Sequence, residues 1–408
     1  MQVLRVRNDK KNWGLVLLFY LLTFHDPLTR VVSVLNYIDE GVAVFGVLIM
    51  ICEMIKTKKL LIYKSDRRLI LAMTVFVIAG LLGNVLYRYQ KTVAVLIDLV
   101  TNLKFFLAII TGYKLFQYYG YERVRFAFNV HAKVVSLLLF ILLISNLMLN
   151  IFPTADRRYG IASERLFFFH PTYLASAAAF LLVVLTAFYD RGSGLYILMT
   201  LVIMFFTLRL KAIAGIAVYC AIYFFIIYQR KKITFWHVVV LACMAVIIAF
   251  DQIAYYYIEN ADRSARALLT LRSLEIASDY FPIGTGFGTF ASDISTEHYS
   301  PIYSMYGSSG IWGLMEGYAF FASDTFWPII IGQTGVVGTI CYVFVLFTLF
   351  RRILQIRKVN ILFYATGMYV FVYLIISSTS EAAFCNAISI PLAVMMGCIL
   401  TLERRTDI

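Results

Sequence analysis

A run of about 20 apolar residues can cross a bilayer as a helix. This chain holds twelve candidate runs, near 14–34, 38–55, 69–87, 93–112, 134–152, 170–189, 195–209, 212–228, 235–253, 323–349, 360–377 and 387–402. No other feature restricts the fold so strongly. Within lipid every backbone N–H and C=O must find a partner inside the protein, which leaves helices or closed barrels. The runs are long and lack the alternation of barrel strands. The expectation is an all-α integral membrane protein of about twelve transmembrane helices, forming a single polytopic domain over 1–408. Composition agrees: 61% of the 408 residues are hydrophobic and 14% charged, too apolar for a soluble domain. The first run follows "RVRNDKKNW" with no small-residue cleavage site, so it reads as a permanent helix.

The net charge of +13 would suggest nucleic acid on a soluble protein. Here the basic residues sit between apolar runs and read as topology determinants, so no nucleic-acid partner is expected. With a cytoplasmic N-terminus, 24 of the 36 Lys and Arg residues fall on the inner side, including "KTKK", "QRKK" and "RRILQIRK". Both termini are therefore expected in the cytoplasm. The six cysteines are scattered without a C-x-x-C pair, so neither a disulfide framework nor a zinc site is expected.

One connection stands out. Residues 254–322, between the ninth and tenth runs, form an outer segment of nearly 70 residues, and a loop that long is usually functional. It carries the aromatic stretches "YYY", "YSPIYSMYG" and "IWG", which suit either an interfacial belt or a sugar-stacking surface. Ten basic residues remain on the outer side against the positive-inside bias. They include Arg157, Arg158 and Arg165 in "PTADRRYGIASERLFFFHP", Arg209 and Lys211 in "LRLKA", and Arg263, Arg266 and Arg272 in the long loop. A guanidinium offers a planar fork of donors and a permanent charge, which suits phosphate. Headgroup binding or pairing with Asp and Glu is the plainer alternative. His170 opens the sixth helix with Pro171 behind it, as an interfacial or a site residue. Asp98 and Lys104 are intramembrane charges six residues apart, off one helix face and not read as a pair.

"FPIGTGFGTF", Phe281 to Phe290, resembles a phosphate-gripping loop at first sight. A dinucleotide fingerprint needs G-x-G-x-x-G after a strand, and a Walker loop needs Lys-Ser or Lys-Thr. This stretch has neither and follows what reads as an amphipathic helix ending at a proline. Its glycines are expected to shape a turn by reaching φ > 0 and permitting close approach.

"TLRSLEIASDYFPIGTGFGTFAS" and "ASDTFWPIIIGQTGVVG" together resemble the Arg, helix, Pro-x-Gly-x-Gly-x-Gly stretch and the next helix start of the O-antigen ligase and O-antigen polymerase superfamily. These are multi-helix glycosyltransferases of the bacterial inner membrane with a large periplasmic loop late in the chain. The likeness covers the whole chain in architecture and about 60 residues in motif. Ligases of lipid A core carry His-Asn at that helix start. This chain has Asp324-Thr325, which looks more like polymerases of O antigen, capsule or exopolysaccharide.

The resemblance implies metal-independent, inverting transfer from an undecaprenyl-pyrophosphate-linked oligosaccharide, with no cofactor. It makes Arg272 the principal residue at the pyrophosphate, helped by Arg209, Lys211, Arg157, Arg158 and Arg165, with Arg263 and Arg266 nearby and Gly284 and Gly286 in the same substrate-binding stretch. Asp324, His298 and His170 are the candidate bases. Membrane lipids, a flippase and a chain-length regulator are the implied partners. Two rivals stay open: a ligase, and a transporter of polysaccharide or lipid-linked sugar. A transporter would more usually show two related halves, which the chain lacks.

Overall fold

The computed structural model describes residues 13–57, 67–158, 160–230, 247, 250, 254–260 and 264–402. The ninth run, 235–253, lies almost wholly outside the described residues, and so does Arg263. About 74% of the described residues are helical, with almost no sheet among them. Among the described residues, five helices are long and apolar enough to cross a membrane: Arg67–Tyr87, Thr92–Tyr119, Tyr121–Leu149, Leu210–Tyr228 and Trp327–Ile356. The protein is a membrane-spanning helical bundle.

In chain order the helices are α1 (Trp13–Thr23), α2 (His25–Val31), α3 (Ile38–Thr57), α4 (Arg67–Tyr87), α5 (Thr92–Tyr119), α6 (Tyr121–Leu149), α7 (Pro171–Ala187), α8 (Ser193–Phe206) and α9 (Leu210–Ile222). After these come α10 (Ala265–Asp279), α11 (Asp293–Glu297), α12 (Ile302–Met305), α13 (Trp327–Ile356), α14 (Ile361–Ser377) and α15 (Ile390–Leu400). A two-residue hairpin, β1 (Arg157–Arg158) and β2 (Ile161–Ala162), joins α6 to α7.

Local sequence explains the departures from the apolar runs. The run 14–34 divides into α1 and α2, because Pro27 suits a helix start and not a helix interior. The seventh and eighth runs separate at Leu208, which takes φ 50 between α8 and α9. The segment 254–322 is not an open loop. It contains α10, which packs along α13, and the short helices α11 and α12.

The core is assembled by close helix crossings. α5 and α15 meet through glycines: a Cβ added to Gly112 would lie 1.9 Å from the Val394 carbonyl, and one on Gly397 would lie 2.0 Å from that of Ile109. Small residues let backbones approach where lipid supplies no hydrophobic drive for association. α7 is buried along nearly its whole length, as the run of small residues in "ASAAAF" allows.

Candidate functional site

The glycine stretch is a packing junction. α13 departs from helical geometry at Gly335 (φ 60, ψ −160), which releases carbonyls that a regular helix would consume. Thr285 N–H donates to the Gly332 carbonyl at 3.1 Å and Gly286 N–H to that of Gln333 at 2.8 Å. On the other side Asn84 of α4 makes a reciprocal pair with Phe287, its Nδ2 donating to the carbonyl at 2.9 Å and its Oδ1 accepting from the N–H at 2.8 Å. Gly288 N–H donates to Asp98 Oδ2 of α5 at 2.9 Å. Gly284 N–H reaches the Tyr280 carbonyl at 3.0 Å. Every N–H from Gly284 to Gly288 is thus committed within the protein. The three glycines sit at φ 72, 101 and 73, and a Cβ on Gly286 would lie 2.5 Å from Asn84.

A second region, at one end of the bundle, collects charge. Ser163 pins the hairpin to the α8–α9 turn, its Oγ donating to the Thr207 carbonyl at 2.7 Å, while Glu164 N–H reaches that of Phe206 at 2.9 Å. This brings Asp156 onto Arg209: Arg209 Nη2 donates to Asp156 Oδ1 at 2.9 Å, and Arg158 Nε to Asp156 Oδ2 at 3.0 Å. Burial works against the Asp156 carboxylate, but the Arg158 and Arg209 guanidinium groups outweigh it and hold its pKa below the usual carboxylate value. Arg209 Nε is buried without an acceptor.

Two backbone bonds fold the segment after α14 onto the start of α13: Ala382 N–H to the Ser323 carbonyl at 3.0 Å, and Phe326 N–H to that of Ser378 at 3.1 Å. Glu381 is thereby carried to Lys211, with which it forms an ion pair whose side chains are only 8% and 12% exposed. Arg266, at the start of α10, donates from Nε and Nη2 to Asp324 Oδ2 at 3.2 and 3.1 Å. Burial raises the Asp324 pKa above the ordinary carboxylate value. Arg266 opposes that rise, and the Glu381 and Asp293 carboxylates add to it.

His170 joins the same field. It lies ahead of α7 as its N-cap, with Nδ1 accepting from Thr172 N–H at 3.3 Å. Burial first, then the positive charges of Arg209, Lys211 and Arg158, push its pKa down to about 4, against the pull of Asp156. The ring is neutral near pH 7, and with Nδ1 engaged as acceptor its proton resides on Nε2.

The structure therefore brings together His170, Arg158, Arg209, Lys211, Arg266 and Asp324 from separate stretches of sequence. It adds Glu381 and Asp293, which sequence reading missed. Glu381 was signalled by being the lone charged residue between the last two apolar runs; Asp293 had no comparable signal. Arg165 instead braces its own loop, bonding the carbonyls of Pro153 and Phe169 at 3.0 and 2.8 Å. Arg157 is exposed on β1. Arg272 pairs with Glu275 one turn along α10 at 2.6 Å. Six residues separate it from Arg266, so the two point to different faces of the helix. His298 closes α11, where its carbonyl accepts from Gln90 Nε2 at 2.5 Å.

Away from this end, Lys104 pairs with Asp39 at 2.5 Å and Glu40 at 3.4 Å, while Asp98 serves the glycine junction. Among the described residues no group of three His, Cys, Asp or Glu side chains could hold a metal ion. No protein-family model matches the chain, and no curated protein matches it.

Proposed function

We propose that the protein is a polymerase of oligosaccharide repeat units carried on undecaprenyl pyrophosphate, working on the extracytoplasmic face of a bacterial inner membrane. In this reading the chain crosses twelve times with both termini in the cytoplasm, and 254–322 together with the charged end faces outward. One observation carries it. Arg209, Lys211 and Arg266 converge on one end of the bundle beside a neutral His170, each cation held by a carboxylate that an anionic ligand can replace.

The chemistry follows from that set. The bond between the anomeric carbon and the pyrophosphate oxygen breaks as an acceptor hydroxyl attacks, and negative charge grows on the leaving pyrophosphate. Preorganised cations in a partly buried site stabilise that charge. His170 Nε2–H donates to a substrate oxygen. Asp324, released when Arg266 turns to phosphate, takes the acceptor proton, and its raised pKa makes it a stronger base than an ordinary carboxylate.

The test replaces Arg209 or Arg266 with Ala in a strain lacking its own copy. The expected result is loss of polymer and accumulation of single lipid-linked units. Full-length polymer from both variants would sink the assignment. Long free lipid-linked polymer in the deletion strain would instead indicate a ligase.

A further inference from the structure

Between α12 and α13 the chain makes a compact lobe with an unusual surface. Its interior is well anchored: Leu314 is fully buried, its carbonyl accepts from Tyr299 Oη at 2.8 Å, and Tyr299 stacks on Tyr303 with ring centroids 5.1 Å apart. On this firm base three large rings stand in the open. Trp312 is 67% exposed, Tyr318 62% and Phe320 69%. Trp312 is set against Phe321 edge to face at 5.2 Å. That contact depends on Gly313, which takes φ 84 and where a Cβ would meet the Phe321 ring at 2.2 Å. The rings are held exposed by the fold itself.

Exposed aromatic clusters mark binding surfaces, and two features identify the occupant. From 299 to 323 the only charged side chain is Glu316. A patch seated among anionic headgroups would carry Lys or Arg, as interfacial segments do. A sugar ring has an apolar C–H face with hydroxyls around its rim, which suits flat aromatic faces flanked by hydroxyls and a carboxylate. The lobe also runs directly into the charged end: Asp324 N–H donates to the Phe321 carbonyl at 3.2 Å.

We propose that Trp312, Tyr318 and Phe320 form a platform for a neutral carbohydrate chain, which holds the growing glycan while its end lies at Asp324. This rests on the function proposed above. A chain gripped between additions is extended repeatedly, and a chain released after each addition stays short.

The experiment expresses Trp312→Ala, Tyr318→Ala, Phe320→Ala and the triple variant in the deletion strain and resolves polymer length on gels. Each lost ring should weaken acceptor binding severalfold, shortening the chains while short products persist. Trp312→Phe, which keeps an aromatic face, should restore length. Unchanged lengths in the triple variant overturn the platform, as does equal shortening by Trp312→Phe and Trp312→Ala. If the triple variant does not fold, the single variants and a tryptophan measurement decide. With Trp13, Trp236 and Trp327 replaced by Phe, Trp312 fluorescence in liposomes should resist quenching by nitroxide-labelled lipids. Strong quenching would make the patch a membrane anchor and overturn the proposal. Arg266→Ala separates the two readings: polymer lost there with full-length chains from platform variants refutes the platform alone. Normal polymer from both refutes the functional assignment and the platform with it.

Discussion

The glycine junction and the charged end use different means to hold separate stretches of chain together. At the junction, α13 grips residues 281–290 through backbone hydrogen bonds, α4 and α5 through the Asn84 and Asp98 side chains, and several contacts are too close for a side chain. Its donors are all spent, so it has one arrangement. At the charged end the contacts are ion pairs between side chains from distant segments. In the proposed function the more exposed of these pairs, Arg209 with Asp156 and Arg266 with Asp324, exchange a carboxylate for a substrate anion. The junction supplies rigidity and the charged end keeps its chemistry available.

The contrast is tested most strongly at Gly286. A valine there would take φ 101 and overlap Asn84. Left-handed strain of ~1–2 kcal/mol, overpacking of ~1–3 kcal/mol and the loss of two hydrogen bonds of ~1 kcal/mol each should destabilise the protein by about 4–7 kcal/mol. Thermal unfolding in detergent reads this directly. A midpoint within a few degrees of wild type would mean that the junction is not the rigid element.

Next in size is the buried pair at the charged end. Removing one partner of a buried ion pair costs ~3–5 kcal/mol, because the other is left charged and uncompensated. Lys211→Met and Glu381→Gln should each show that loss, and the double variant should recover much of it. Additive losses would mean that the two side chains act separately.

Much of the architecture was legible in the sequence and much of the site was not. Apolar runs announce helices because lipid forbids other solutions. Gly284, Gly286 and Gly288 announced close approach and φ > 0, but not which helices approach. That depends on Asn84, some 200 residues away, and on a break at Gly335 inside what reads as one uniform helix. The charged end resisted reading for another reason. Arginines expected on the outer side stand out as exceptions to a bias, yet Arg158, Arg165, Arg209 and Arg266 look alike in sequence. Only contacts separate Arg165, which braces a loop, from Arg209, which keeps a buried donor unpaired.

His170 offers a pH test of the charged end. Its pKa falls to about 4 in the folded protein, against about 6.5 unfolded. Between these values the unfolded chain binds a proton that the folded one does not, so stability should decline as pH falls from about 6.5 towards 4, and the His170 contribution is fully present above that window. His170→Gln removes this contribution, so the difference in midpoint between wild type and variant should shrink from pH 7 to pH 5. A difference that grows on acidification would mean that His170 is charged in the fold and that the cations around it are less close than the geometry indicates.

The smallest expected effect separates resemblance from geometry. By motif, Arg272 is the residue to lose. In the structure it makes a pair with Glu275, the two side chains 33% and 47% exposed. Pairs of this kind on a helix surface contribute about 0.2–0.5 kcal/mol. Arg272→Ala should therefore leave the unfolding midpoint within about a degree or two and leave polymer in place, whereas Arg266→Ala abolishes it. If Arg272→Ala abolishes polymer in a protein that is still folded, then α10 must rotate its other face towards the substrate on binding. The site would then be assembled by that rotation rather than standing ready between Arg266 and Asp324. Six residues along a helix turn it by about 240°, so one face or the other can meet the donor, and the two variants decide which.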